Sequence, residues 1–273
     1  MSQSNENHRK LPEPNQIVVK IGTDCLTNED SQLDISKLDK LVSDFTTLLN
    51  EEKEGVLVSS GAIGAGIGKL SLKEKPEEME PLQAASTIGQ GELMRRYSES
   101  FEKYDRQVAQ LLLTQQDFTN PTRFGNLKNT IKELLDWNIT PIINENDAVA
   151  VEEIRMGDND LLSAFTASAI KADLLIILTD VDGLYEENPK KKSDAIRIKK
   201  VEKVDEEILD LTRKTSESDF GGMQTKIEAA KIATEEGIPV IITKASKEDI
   251  IKKVIEGNEM GTLFLPQEKH KEK

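Results

Sequence analysis

Two clusters of amide and carboxylate side chains lie close together in this chain, Ile143-Asn144-Glu145-Asn146-Asp147 and Gly157-Asp158-Asn159-Asp160. Such groups are costly to bury without partners. They follow the apolar run Ile139-Thr140-Pro141-Ile142-Ile143, so they are expected to build a polar site beyond a strand end. Three other strand ends carry residues suited to anions. In Lys20-Ile21-Gly22-Thr23-Asp24 a lysine sits within an apolar strand ahead of a glycine turn. It either aims a cation at a phosphate or points to solvent from an edge strand. In Ser59-Ser60-Gly61-Ala62-Ile63-Gly64-Ala65-Gly66 a strand runs through small residues into a helix, whose first amides would face an anion. Close packing is the alternative reading of those glycines. The third end joins Thr179-Asp180-Val181-Asp182-Gly183 with Gly221-Gly222-Met223-Gln224-Thr225-Lys226. There a glycine pair opens a helix, Lys226 adds a point charge one turn in, and Asp180 could accept from nucleotide hydroxyls. Ordinary turns would look the same. Neither a Walker A loop nor a G-x-G-x-x-G dinucleotide loop is present; position 63 is Ile, and Leu70 follows Lys69.

The remaining composition narrows the chemistry. The two histidines, His8 and His270, lie near the chain ends, and Cys25 is the single cysteine. A Ser-His-Asp triad, a Cys-His pair and a His-based zinc site are therefore excluded as internal centres. No internal disulfide can form, which fits a reducing compartment. Cys25 reads as a buried, inert thiol. The chemistry is left to Lys, Asp, Asn, backbone amides and a hard metal ion. A net charge of −14 argues against nucleic acid as partner. No apolar run is long enough to span a membrane, and residues 1–15 lack the apolar centre of a signal peptide, so a cytoplasmic location is expected. The acidic runs Glu74 to Glu80 and Glu202 to Glu207 read as solvated helix faces.

β-branched runs alternate with helical patterns along the chain. Strands are expected at 17–21, 56–60, 108–113, 139–143, 174–178, 240–242 and 261–265. Helices are expected at 35–53, 81–104, 123–137, 161–171, 223–237 and 247–255. This alternation predicts an α/β fold, with a largely parallel sheet covered by helices on both faces. The expected organisation is a tail at 1–15, one folded region at 16–266 and a tail at 267–273. The folded region would have an N-terminal lobe to about 170 and a C-terminal lobe beyond it.

Taken in order, these segments resemble the amino acid kinase family over about Ile17 to Leu265, and within it the members that act on glutamate. The most specific parts are Ile-Asn-Glu-Asn-Asp at 143–147, Gly-Asp-Asn-Asp at 157–160, Val-Ser-Ser-Gly-Ala at 58–62 and Gly-Gly-Met-x-Thr-Lys at 221–226. The resemblance implies a three-layer αβα sandwich with a mainly parallel sheet. It also implies ATP-dependent phosphorylation of the L-glutamate γ-carboxylate to L-glutamyl 5-phosphate, the first step of proline synthesis. Lys20, Lys226 and Asp160 would be catalytic, the aspartate orienting the lysines. Ser60, Gly61, Asn144, Asp147 and Asn159 would bind glutamate, with Glu145 shaping the same loop. Lys20, Gly22, Thr179, Asp180, Phe220, Gly221, Gly222, Met223, Gln224, Thr225 and Lys226 would line the ATP site, and Mg2+ would be held mainly through ATP phosphates. Proline as feedback inhibitor, a homo-oligomer (dimer or tetramer) and coupling to glutamyl-phosphate reductase are further implications. Family members acting on aspartate, carbamate or UMP, and a non-catalytic glutamate or proline sensor, remain alternatives. The chain departs from the family pattern at Phe220, where Thr is usual, and at Asp24, where Ser is usual. It also has no length for the C-terminal PUA domain that many members carry.

Overall fold

The computed structural model describes residues 12–150, 159–187, 189, 191, 192, 194–215 and 222–267. Its centre is an eight-stranded sheet made of β1 (Gln16–Ile21), β2 (Glu54–Ser59), β3 (Gln107–Leu113), β4 (Ile139–Glu145), β5 (Leu174–Thr179), β6 (Lys200–Val201), β7 (Val240–Lys244) and β8 (Thr262–Phe264). The spatial order is β3-β4-β2-β1-β5-β7-β8-β6. Every pairing is parallel except β7 with β8. The inner strands are buried along most of their length because helices cover both faces, and their apolar residues run nearly continuously up to the strand ends. The helices are α1 (Ile35–Asn50), α2 (Ala62–Leu70), α3 (Met79–Glu102), α4 (Gln116–Thr119), α5 (Pro121–Asp136), α6 (Asp160–Ile170), α7 (Glu206–Thr215), α8 (Met223–Glu235) and α9 (Ile250–Ile255).

Side chains alternate along each strand, so the sheet divides the core in two. Ile17, Val19 and Ile21 pack with Leu38 and Phe45 of α1, Leu93 and Tyr97 of α3, and Ile251 of α9. Val18, Val58 and Ile177 pack with Ile131 of α5, Leu162 of α6, and Ile227 and Ala230 of α8. This is the expected αβα sandwich. Lys20 shares the face of Val18, two residues before it. It therefore points to the layer where α6 and α8 begin. β1 lies between β2 and β5, so Lys20 is in an interior strand and fully buried. That overturns the edge-strand alternative.

The sheet order places the ligand crevice. From β1 the chain moves to β2 on one side, and the strands that follow β5 (β6, β7 and β8) all lie on the other. The strand order reverses between β1 and β5, and ligands gather beyond strand carboxyl ends at such a point. Gly22 and Asp180 follow those two ends directly.

Other departures from the sequence expectations have local causes. Residues 74–78 and 202–205 are not helical; helices begin at Met79 and Glu206. Pro76 restricts its predecessor to extended backbone, which explains the first of these. α9 starts at Ile250, not at 247, because Asp249 is left-handed with φ 50°. The carboxylate of Asp44 on α1 accepts from the amides of Ile251 and Lys252 at 2.9 and 3.3 Å, a cap supplied by a distant segment. α4, α7 and β6 were not expected as separate elements.

α2 and α3 meet backbone to backbone. A Cβ at Gly89 would lie 1.8 Å from the Ala62 carbonyl oxygen, and one at Gly66 would lie 1.9 Å from that of Ala85. The glycines of 61–68 thus serve packing as well as the strand end. Gly61, with φ 94°, takes the left-handed turn from β2 into α2.

Candidate active site

The three residues of expected catalytic role meet between layers. The Lys20 ammonium lies 2.8 Å from Asp160 Oδ1, and the Lys226 ammonium lies 3.1 Å from Asp160 Oδ2. Thr225 Oγ1 donates to the same Oδ2 at 2.8 Å. Lys20 is the last residue but one of β1, Asp160 is the first residue of α6, and Lys226 is one turn into α8. Side-chain exposure is 0% for Lys20 and Asp160 and 6% for Lys226. Burial raises the Asp160 carboxyl, but the charges of Lys20 and Lys226 outweigh it and hold the group below the usual carboxylate range. Burial lowers the Lys20 ammonium to about 8 despite the opposing pull of Asp160. Gly22 keeps the space above Lys20 open. A Cβ there would lie 3.6 Å from the ammonium and 3.4 Å from the Leu178 carbonyl oxygen.

A polar cavity of about 170 Å3 is lined by Asn159, the residue before Asp160. Ser60, Gly61, Asn144, Glu145, Asp147 and Asn159 line it, together with Thr23, Asp24, Thr27, Ser31 and Lys75. The Asn159 amide donates to the Ser59 carbonyl and to Asn144 Oδ1, both at 2.6 Å. Asn144 Oδ1 also accepts from the Glu145 amide at 2.9 Å. Ser60 Oγ and Asn144 Nδ2 are buried without a hydrogen-bond partner among the described residues. Buried polar groups are normally satisfied, so these two are suited to a polar ligand. The five glutamate-binding residues expected from sequence therefore line one cavity.

Helix α3 ties down the segment from Glu145 to Ala150. Ser86 Oγ donates to the Asp147 carboxylate, Gln83 to the Ala150 carbonyl at 3.3 Å, and Gln90 to the Glu145 carbonyl at 3.4 Å. Positions 83, 86 and 90 share one helix face. Burial raises the Asp147 carboxyl, with the Ser86 bond opposing. Sequence reasoning missed these three residues. Their polar side chains at helical spacing, on the face opposite the acidic one, were the available signal. It also missed that Thr225 serves Asp160.

The expected nucleotide-side residues that the structure describes lie at the ends of β1 and β5 and at the start of α8. Thr179 is buried and its hydroxyl donates to the exposed Asp180 at 3.1 Å. Gly222 caps α8 without a side chain, and a Cβ there would meet nothing within 4 Å. The first amides of α8 have no side-chain cap among the described residues, a setting that suits phosphate. Met223 and Gln224 are half-buried, and Gln224 is tied to Glu228 at 2.9 Å. Phe220, Gly221, Gly157 and Asp158 lie outside the described residues. Cys25 is buried beside this region, and burial pushes its thiol up to about 11. Among the described residues no three His, Cys, Asp or Glu side chains are grouped to hold a metal ion, and no helix is long and apolar enough to cross a membrane.

The model of the amino acid kinase family matches residues 15–244. The chain belongs to the amino acid kinase family. A glutamate 5-kinase from Clostridium acetobutylicum is 45% identical over 266 residues, covering 97% of this chain and 100% of that protein. A glutamate 5-kinase from a Thermoanaerobacter species is 45% identical over 255 residues, covering 93% of this chain and 68% of that protein. Among solved structures, a UMP kinase from Bacillus anthracis has a TM-score of 0.66 at 12% identity, covering 94% of this chain and 98% of the other. A carbamate kinase from Giardia lamblia has a TM-score of 0.65 at 19% identity, covering 92% and 98%. At those identities the structural likeness concerns the amino acid kinase fold alone.

Proposed function

We propose that this amino acid kinase family member transfers the γ-phosphoryl group of ATP to the γ-carboxylate of L-glutamate, giving L-glutamyl 5-phosphate and ADP. The observation that carries this reading is a cavity with unpartnered buried donors next to a buried pair of lysines held by one aspartate. The identity to glutamate 5-kinases along nearly the whole chain supports the choice of glutamate.

The chemistry fits the groups present. A γ-carboxylate is already ionised near neutral pH, so no general base is needed. One of its oxygens attacks the γ-phosphorus as the bond to the β,γ-bridging oxygen breaks, and ADP leaves with that electron pair. Charge spreads over the transferred group, and fixed cations and amides stabilise it. In this reading Lys20 and Lys226 contact the phosphoryl oxygens, and Asp160 keeps both ammonium groups aligned. Ser60, Asn144 and Asn159 hold the reacting end of glutamate and Asp147 its ammonium. Thr179, Asp180, Gly22 and residues 220–226 receive the nucleotide. Mg2+ would be carried by ATP phosphates and water, as its preference for hydrated octahedral sites allows, and would neutralise phosphate charge when bound.

The reading extends to regulation and context. Proline would compete at the Asp147 cavity, since it shares the α-amino acid end of glutamate. An acyl phosphate is reactive in water, so a reductase that consumes it would act nearby in the cytoplasm. A homo-oligomer would use the helices near 81–135. The decisive experiment incubates the protein with ATP, Mg2+ and glutamate and traps acyl phosphate with hydroxylamine. Glutamyl hydroxamate above a glutamate-free control is expected. Its absence sinks the reading, and hydroxamate from aspartate alone selects an aspartate-directed member instead.

A further inference from the structure

We infer that Lys75 receives the α-carboxylate of the amino-acid substrate and thereby selects a substrate with an ionised α-carboxyl group. This inference rests on the glutamate reading of the same cavity. Glutamate brings one ammonium and two carboxylates. Its γ-carboxylate belongs at the end formed by Ser60 and Asn159, because the next residue, Asp160, holds both lysines. Its ammonium belongs at Asp147. The second carboxylate then needs a cation of its own.

The cavity offers one. Among its described lining residues the charged groups are Asp24, Glu145, Asp147 and Lys75. Three carboxylates without Lys75 would repel an anionic substrate, and the net charge of −14 adds to that field. Lys75 sits in the non-helical connection between α2 and α3. Ser71, left-handed with φ 53°, ends α2, and Pro76 disfavours a helical conformation at Lys75. Among the described residues no carboxylate pairs with Lys75, whereas Lys37 nearby donates to the carbonyls of Asp24 and Thr27. Lys75 is exposed, so its side chain is in water until a carboxylate arrives. The run containing Lys75 reads in sequence as a surface helix face; the return of this connection past the cavity gives the lysine its role.

The test is steady-state kinetics on wild type, Lys75→Ala and Lys75→Arg, with L-glutamate as substrate and its α-amide as competitor. Lys75→Ala should raise KM for glutamate roughly tenfold to a hundredfold, the range for losing a hydrogen bond to a charged group. KM for ATP, kcat and the inhibition constant of the α-amide should stay near wild type. Lys75→Arg should restore most of the glutamate affinity. An unchanged KM for glutamate in Lys75→Ala overturns the inference, as does an equal loss for glutamate and the α-amide. Failure of wild type to phosphorylate glutamate would instead remove the underlying function.

Discussion

Lys20 and Asp160 lie 2.8 Å apart with neither side chain reaching solvent, although 140 positions separate them, from 20 to 160, in the chain. Their contact joins the central strand to the first residue of α6, and Lys226 closes it from α8. Removing one partner of a buried pair leaves an uncompensated charge, which costs about 3–5 kcal/mol. Asp160→Ala should therefore lower the unfolding midpoint sharply in denaturant titration. Lys20→Met with Asp160→Leu in the same chain should recover much of the stability and none of the kinase activity. Equal stability of wild type and Asp160→Ala would show that the pair does not matter to folding.

The Lys20 ammonium titrates at about 8, well below its ordinary 10.5, because burial penalises the charge. The profile of kcat/KM reports groups of the free enzyme. It should fall as pH rises through about 8, as the cation is lost. Stability should move the other way. Between about 8 and 10.5 the unfolded chain binds the proton and the folded chain does not, so the Lys20 contribution to stability rises with pH. A flat kcat/KM between pH 7 and 9 would remove Lys20 from the charged role.

Lys226 stands one turn into α8 and shares Asp160 with Lys20. Lys226→Ala should lower kcat by about 10²–10³, the usual cost of losing one stabilising group in the transition state. Glutamate binding, followed by calorimetry without ATP, should change little. Undiminished turnover would take Lys226 out of phosphoryl transfer.

Ser86 donates to the carboxylate of Asp147 from a buried position on α3. Without it the Asp147 carboxylate loses its aim. Ser86→Ala should raise KM for glutamate several-fold, with kcat and KM for ATP near wild type and Ser86→Thr intermediate. A uniform loss of stability with unchanged KM would make Ser86 a packing residue only.

Gly89 of α3 faces the Ala62 carbonyl so closely that a Cβ would lie 1.8 Å from it. Gly89→Ala must push α2 away from α3, at about 1–3 kcal/mol or more. Because α2 begins at the Ser60-Gly61 turn, KM for glutamate should rise along with the loss in thermal midpoint. A midpoint and KM equal to wild type would contradict the close approach.

Much of this protein is determined by local sequence. The β-branched runs at 17–21, 139–143 and 174–178 admit few readings other than buried strands. Their alternation with amphipathic helices such as 35–50, whose Leu38, Leu41, Phe45 and Leu48 recur at helical spacing, dictates a covered parallel sheet. The Asn and Asp clusters after β4 marked a polar site because such groups are rarely gathered without use. What only the tertiary structure decided is where separate segments meet. The side-chain period of a strand puts Lys20 on one of two faces, but strand order alone makes β1 interior and brings α6 and α8 over it. Asp160, Thr225 and Lys226 join Lys20 through that order, not through spacing. The same holds for the α3 face of Gln83, Ser86 and Gln90, for Asp44 capping α9, and for Lys75 at the cavity. Each depends on a contact between distant positions, and a one-dimensional pattern carries no record of which surfaces will touch.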